Sequence, residues 1–256
     1  MTFLIGMISP VLACDKSISF AYGPYVTLNR LQAFEVLHRY FERSTGCAVE
    51  FQAYSSIEVL MSDLLNKKHT FAFVPGIYYQ AMEEHGYSLV VSMSRSQLLG
   101  NYVITQHDTP YTQLSDLRGR SVAILDPYAS SSLHFVKELE KLGMRDTVKF
   151  EVINNYEEIV LKVFEYSVDA GVVVGTYWNQ IDEMIRKRNL KVIHEFNFGG
   201  KGGYIGLTEE KELSKQLLES LIQLLPGTWS DPIPSERYPD AVKALMQRLK
   251  ANQESD

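Results

Sequence analysis

The sequence predicts an α/β protein of two lobes, each a mainly parallel sheet flanked by helices. Short apolar runs of strand type alternate with segments of helical periodicity, the repeated βαβ pattern that builds parallel sheets. The pattern runs once from Ser17 to Met93, then starts again after Tyr102 to Gln106 and continues to about Leu190. Strand-like segments near residues 95–106 and 190–200 join the two units, which gives two crossings and a cleft between lobes. A chain of 256 residues, 45% hydrophobic and 22% charged, is long enough for two cores.

In the first unit, Ser17 to Tyr22 reads as a strand stopped by the turn signal Gly23-Pro24. Leu31, Phe34, Leu37 and Phe41 then share one helical face, and Thr45-Gly46 ends that helix. Val49 to Tyr54 is the next strand, and Ser56 to Asn66 a helix with Ile57, Leu60 and Leu64 inward. Phe71 to Val74, followed by Pro75-Gly76, reads as a buried strand, Ile77 to His85 as a helix and Leu89 to Met93 as a strand.

The second unit opens with the strand Tyr102 to Gln106 and the helical turn Leu114 to Arg120. Val122 to Leu125 is a strand, and Ser130 to Leu142 a helix whose apolar residues Leu133, Val136, Leu139 and Leu142 recur every three positions, with Gly143 as its stop. Val148 to Ile153, Tyr156 to Tyr166, Ala170 to Val174 and Tyr177 to Lys187 continue the alternation. Val192 to Phe196 begins the return, Gly199 to Gly203 reads as a flexible link, and Tyr204 to Leu207 is strand-like. Two amphipathic helices close the chain, at about Glu210 to Leu225 and Tyr238 to Ala251. The division is residues 17–98 plus 195–256 for lobe 1 and 99–194 for lobe 2, with 1–16 as a signal or lipoprotein segment.

Ligands of open α/β sheets sit outside the carboxyl ends of strands. The loops there carry Tyr22, Tyr25, Tyr54, Asp126, Ser130, Ser131, Ser132, Asn155 and Tyr177, the candidate ligand-binding set. Its centre is the strand-loop-helix junction Asp126-Pro127-Tyr128-Ala129-Ser130-Ser131-Ser132. The first turn of a helix leaves amides without intrahelical partners at an electropositive end, and the serines add hydroxyl donors for an oxyanion. The competing reading is an ordinary serine N-cap on a surface helix.

The formal charge of −6 is spread without long runs of one sign, which excludes a nucleic-acid surface and a polybasic membrane contact. No cofactor loop, catalytic grouping or metal-ligand spacing occurs. Among candidate acid-base groups, Asp126 reads as a turn former, His134 as a surface histidine and Asp169 as a turn cap, beside Glu58. Residues 2–13 are apolar enough for the core of an export signal, although no Lys or Arg precedes them. Cys14 after Val11-Leu12-Ala13 resembles a loose lipoprotein box; alternatively Cys14 and Cys47, each just before a strand, form a disulfide across the sheet edge.

Several segments in order resemble the phosphate/phosphite/phosphonate-binding subfamily of periplasmic substrate-binding proteins of ABC importers, over roughly Ser17 to Phe196. They are Phe20-Ala21-Tyr22-Gly23-Pro24-Tyr25, Leu37 to Glu50, Leu114 to Gly119, Asp126-Pro127-x-x-Ser-Ser and Val168-Asp169-Ala170. The resemblance implies a type 2 Venus-flytrap fold, periplasmic export, no catalysis, and an oxyanion such as phosphonate or phosphate held by the serine loop for an ABC permease. It implies a monomer without a cofactor. Departures fall on the ligand side: Ala129 and Ser132 replace the family's serine and glycine, Lys67-Lys68-His69-Thr70 lacks its aspartate, and Leu99 and either Ile57 or Glu58 stand where tyrosines are expected. A weakened site on the same fold also fits a periplasmic sensor that signals to a membrane histidine kinase or chemoreceptor, and an enzyme on this fold is the third reading.

Overall fold

The computed structural model describes residues 14, 16–26, 28–93, 100–181, 183, 188–196, 202–230 and 239–253. The expected signal segment therefore lies outside the described residues, apart from Cys14 and Lys16, as do 199–201 of the glycine-rich return.

Two sheets form. The first contains β1 (Ile18–Tyr22), β2 (Val49–Ala53), β3 (Phe71–Pro75), β4 (Tyr87–Met93), β10 (Gly202–Leu207) and β11 (Trp229–Ser230), in the order β11-β4-β10-β3-β1-β2. The second holds β5 (Asn101–Gln106), β6 (Ser121–Ile124), β7 (Lys149–Val152), β8 (Ala170–Val174) and β9 (Leu190–Phe196), in the order β7-β6-β8-β5-β9. Each has three parallel strands, β2-β1-β3 or β7-β6-β8, then one reversed strand that pairs antiparallel on both sides, β10 or β5. The reversed strand is the one delivered by a crossing. The two halves thus repeat one strand order without repeating sequence.

Helices α1 (Leu28–Thr45), α2 (Ile57–Leu65), α3 (Tyr79–Glu83), α4 (Ser130–Lys141), α5 (Tyr156–Phe164), α6 (Gly175–Trp178), α7 (Lys211–Leu224) and α8 (Asp240–Gln253) cover the sheets. Local chemistry sets their ends. Ser56 caps α2 by accepting from the Val59 amide, and Asn155 caps α5 by accepting from the Glu158 amide at 2.7 Å. At the far end of α4, Gly143 adopts φ +62 while its amide donates to the Glu140 carbonyl and the Met144 amide to that of Leu139, a Schellman stop.

Three differences from the sequence reading have physical causes. The buried residues of α4 are Ser130, Ser131, Ser132, Phe135 and Leu139, whereas Leu142 is 47% exposed. A helix turns every 3.6 residues, so a run spaced strictly by three drifts off the core face. The helix expected from Tyr177 begins at Gly175. Gly202 and Gly203 are strand residues of β10 paired with Pro75 and Val74, not a flexible link. A Cβ on Gly203 would stand 2.2 Å from the Val91 carbonyl oxygen and 2.4 Å from the Tyr79 hydroxyl, so only glycine fits between β3 and β4.

Cys14 and Cys47 are joined by a disulfide that ties the chain before β1 to the chain before β2. A sulfur in that bond cannot also carry a thioether-linked lipid. No helix among the described residues is long and apolar enough to cross a membrane.

Candidate functional site

The carboxyl ends of the parallel strands in the two sheets face one another, and the loops there touch. From the β6–α4 loop, Asp126 reaches across: its Oδ2 accepts from the Ile57 amide at the start of α2 at 2.9 Å, and its Oδ1 from the Tyr128 amide at 2.8 Å. The Tyr78 hydroxyl, after β3, donates to the Tyr128 carbonyl at 2.6 Å. Arg248 of α8 donates to the Tyr128 hydroxyl at 3.3 Å while it pairs with Glu58 at 2.7 Å. One apolar cluster includes Ala21 and Ile57 from one side and Leu125, Ala129 and Tyr156 from the other. The edges are closed on each other.

Asp126 occupies an anion position, because a first-turn amide has no intrahelical acceptor and lies at the positive end of the helix dipole. The carboxylate is buried. Burial pushes its pKa above the usual carboxylate value, the Ile57 and Tyr128 amides pull it back, and the neighbouring Glu58 charge raises it again.

All three serines of α4 lie at its buried start, and each hydroxyl has an internal partner. Ser132 donates to the Leu125 carbonyl at 2.9 Å, which seats the helix on the end of β6. The Ser131 hydroxyl meets the Tyr156 hydroxyl at 3.3 Å, over the top of the sheet, since α4 and α5 pack on opposite faces. Ser130 meets Nδ1 of His134 at 3.3 Å. The residue at the N-cap is Ala129, whose side chain makes no cap bond. A ligand at this helix start would therefore find backbone amides that no cap side chain satisfies, and hydroxyls that can exchange an internal partner for it.

The other expected residues divide between cleft and core. Tyr177 stacks on Tyr156 with ring centroids 5.8 Å apart, and burial with the Glu157 charge pushes its hydroxyl up to about 12. Asn155 is exposed and serves as the α5 cap that places Tyr156. The Tyr25 hydroxyl donates to the Phe73 carbonyl at 2.8 Å; burial first, then Tyr79 and Asp126 as neighbours, hold it far above the usual phenol range against a backbone bond from Gly23. Tyr22 is placed away from the cleft, its hydroxyl in the core between His38 Nε2 at 2.7 Å and the Tyr204 hydroxyl at 3.0 Å. That of Tyr54 donates to Asp63 at 2.7 Å and contacts His69 Nε2 at 2.6 Å, under α2. The sequence reading passes over Tyr78, Tyr128 and Tyr156; each lies just after a strand end, but tyrosine is too common in packing for position alone to single it out.

Asp169, weighed as an acid-base group, accepts from the Ser121 amide and hydroxyl, both at 2.8 Å, and from Tyr111 at 2.7 Å, and so pins the starts of β6 and β8 together. Among the described residues no group of three His, Cys, Asp or Glu is placed to hold a metal ion.

Comparison with known proteins adds a family and a fold. The model of a family described as "ABC transporter, phosphonate, periplasmic substrate-binding protein" matches residues 20–228, most of the chain. No curated protein sequence matches. Similar solved structures include PhnD1 from Prochlorococcus marinus in complex with methylphosphonate, with TM-score 0.75, 11% identity, and 92% of this chain and 98% of that one covered. A binding protein component of an ABC phosphonate transporter from Pseudomonas aeruginosa aligns with TM-score 0.65, 12% identity and coverage of 93% and 98%. A protein from Xanthomonas citri bound to chloride ion gives 0.64, 15%, 93% and 98%. At these identities the likeness is one of fold, that of the type 2 periplasmic binding proteins.

Proposed function

The chain belongs to the phosphonate-binding family of periplasmic substrate-binding proteins of ABC transporters, and from that premise we propose that it captures a small oxyanion between its two sheet edges and delivers it to a membrane permease. The protein works by binding, outside the cytoplasm, and catalyses no reaction. One observation carries the ligand reading: α4 starts at the contact between the two edges, with Ala129 in place of a capping side chain and three hydroxyls in its first turn. Its amides and dipole favour an anion or a polar oxygen there.

The closed contact explains how capture would work. Asp126 on the Ile57 amide holds the two edges together. Entry of a ligand requires these contacts to separate, and closure over it expels water around the anion. Tyr156, Tyr177, Tyr102 and Trp178 form ring pairs beside this edge, so closure alters their surroundings.

Titration of the whole protein with methylphosphonate, phosphite, phosphate and sulfate, followed by intrinsic fluorescence and thermal melting, tests the reading. A saturable fluorescence change with at least one anion is expected, with a melting shift that grows as the logarithm of its concentration. A flat response in both readouts to all four anions defeats the oxyanion assignment.

A further inference from the structure

Asn101 is fully buried, and among the described residues neither its Oδ1 nor its Nδ2 has a hydrogen-bond partner. Buried polar groups are nearly always paired, and an orphaned one destabilises the fold. A valine would avoid that cost at a strand position. The amide therefore needs a reason other than packing.

Its place supplies one. Asn101 opens β5 opposite Val174 at the end of β8 and Phe196 at the end of β9, and the Gly175 amide donates to the Gly100 carbonyl at 2.7 Å beside it. This is the cleft edge of the second sheet. Tyr102 and Ile104 pack into the cluster on the α5 side and Val103 into the cluster on the α4 side, so strand alternation puts Asn101 on the α4 side. The Phe196 ring lies 6.2 Å from that of Phe135, one turn along α4 from Ser131. Asn101 thus lies on the α4 face of the second sheet, at the same cleft edge from which α4 starts.

We propose that Asn101 is a ligand contact that sets specificity: Nδ2 donates to an oxygen of an oxyanion held at the first turn of α4, while Oδ1 accepts from a donor on the same ligand. This deepens the oxyanion reading and rests on it. An amide that must satisfy both of its ends discriminates by hydrogen count. It favours an oxyacid that keeps a protonated oxygen near neutral pH, such as a phosphonate or phosphate monoanion, over a sulfonate or sulfate that has none. The latter would leave Oδ1 buried and unpaired.

The test compares methylphosphonate with methanesulfonate, nearly equal in shape, by calorimetric titration of the wild type, Asn101→Val and Asn101→Ser, with a thermal melt of each. The wild type is expected to prefer methylphosphonate by about tenfold or more, one lost buried hydrogen bond's worth. Asn101→Val should lose most of that preference while its melting temperature stays level or rises, and Asn101→Ser reports on binding if the valine variant misfolds. Folded variants with wild-type affinity and preference overturn this inference alone. A wild type that binds neither anion defeats the inference, and if phosphate, phosphite and sulfate fail as well, the oxyanion reading falls with it.

Discussion

Burial keeps the His38 imidazole neutral. The residue is 5% exposed, its ring stacks on Phe51 and meets Phe20 at a tilt, and its Nε2 lies 2.7 Å from the Tyr22 hydroxyl. Desolvation lowers its pKa from 6.5 to about 4. The unfolded chain therefore takes up this proton at higher pH than the folded one, so protonation opposes folding. The contribution is whole above about pH 6.5 and is lost as pH falls towards 4, in total about 3 kcal/mol. Urea unfolding at stepped pH should show this slope in the wild type and a shallower one in His38→Gln; equal slopes would remove His38 as its source. At this same scale the sequence is least legible. Tyr22 and Tyr25 stand three residues apart in one loop region, yet one hydroxyl is spent in the core and the other near the cleft, because the first ends a strand on its α1 face and the second lies beyond the turn. Asn101 carries no sequence signal at all, since only the fold reveals that its amide is unpaired.

Among the elements, the start of α2 bears the most consequence. Ser56 satisfies the Val59 amide, and the Ile57 amide is left to a carboxylate from the other sheet's loop. Asp126→Ala would orphan that amide within a buried contact, at a cost of about 1–3 kcal/mol. The variant should show faster hydrogen exchange at Ile57 and Tyr128 and a larger radius of gyration by X-ray scattering. Wild-type exchange and size would mean that the apolar contacts of Ile57, Leu125 and Tyr156 hold the edges without it. Most elements are readable from apolar spacing and caps, as Ser56, Asn155 and Gly143 illustrate. The face of α4 is not, since a spacing of three implies a stripe that a 3.6-residue helix cannot keep; β11 is only two residues long and leaves no pattern. The role of Asp126 is legible only as a turn former, because its partner Ile57 is 69 residues away in sequence.

For the molecule as a whole, the alternation of strands and helices foretells two sheets, and the crossings explain the reversed strands β5 and β10. Closure of one sheet edge on the other is a long-range property that no local pattern encodes. The central claim is that a ligand is held where these edges meet, at the start of α4. Hydrogen exchange with and without saturating methylphosphonate, read peptide by peptide, addresses it most directly. The account predicts added protection in residues 126–133 together with the first residues of β5, with the rest of the second sheet unchanged. Protection confined to segments remote from both sheet edges, or binding with no change at 126–133, would contradict it.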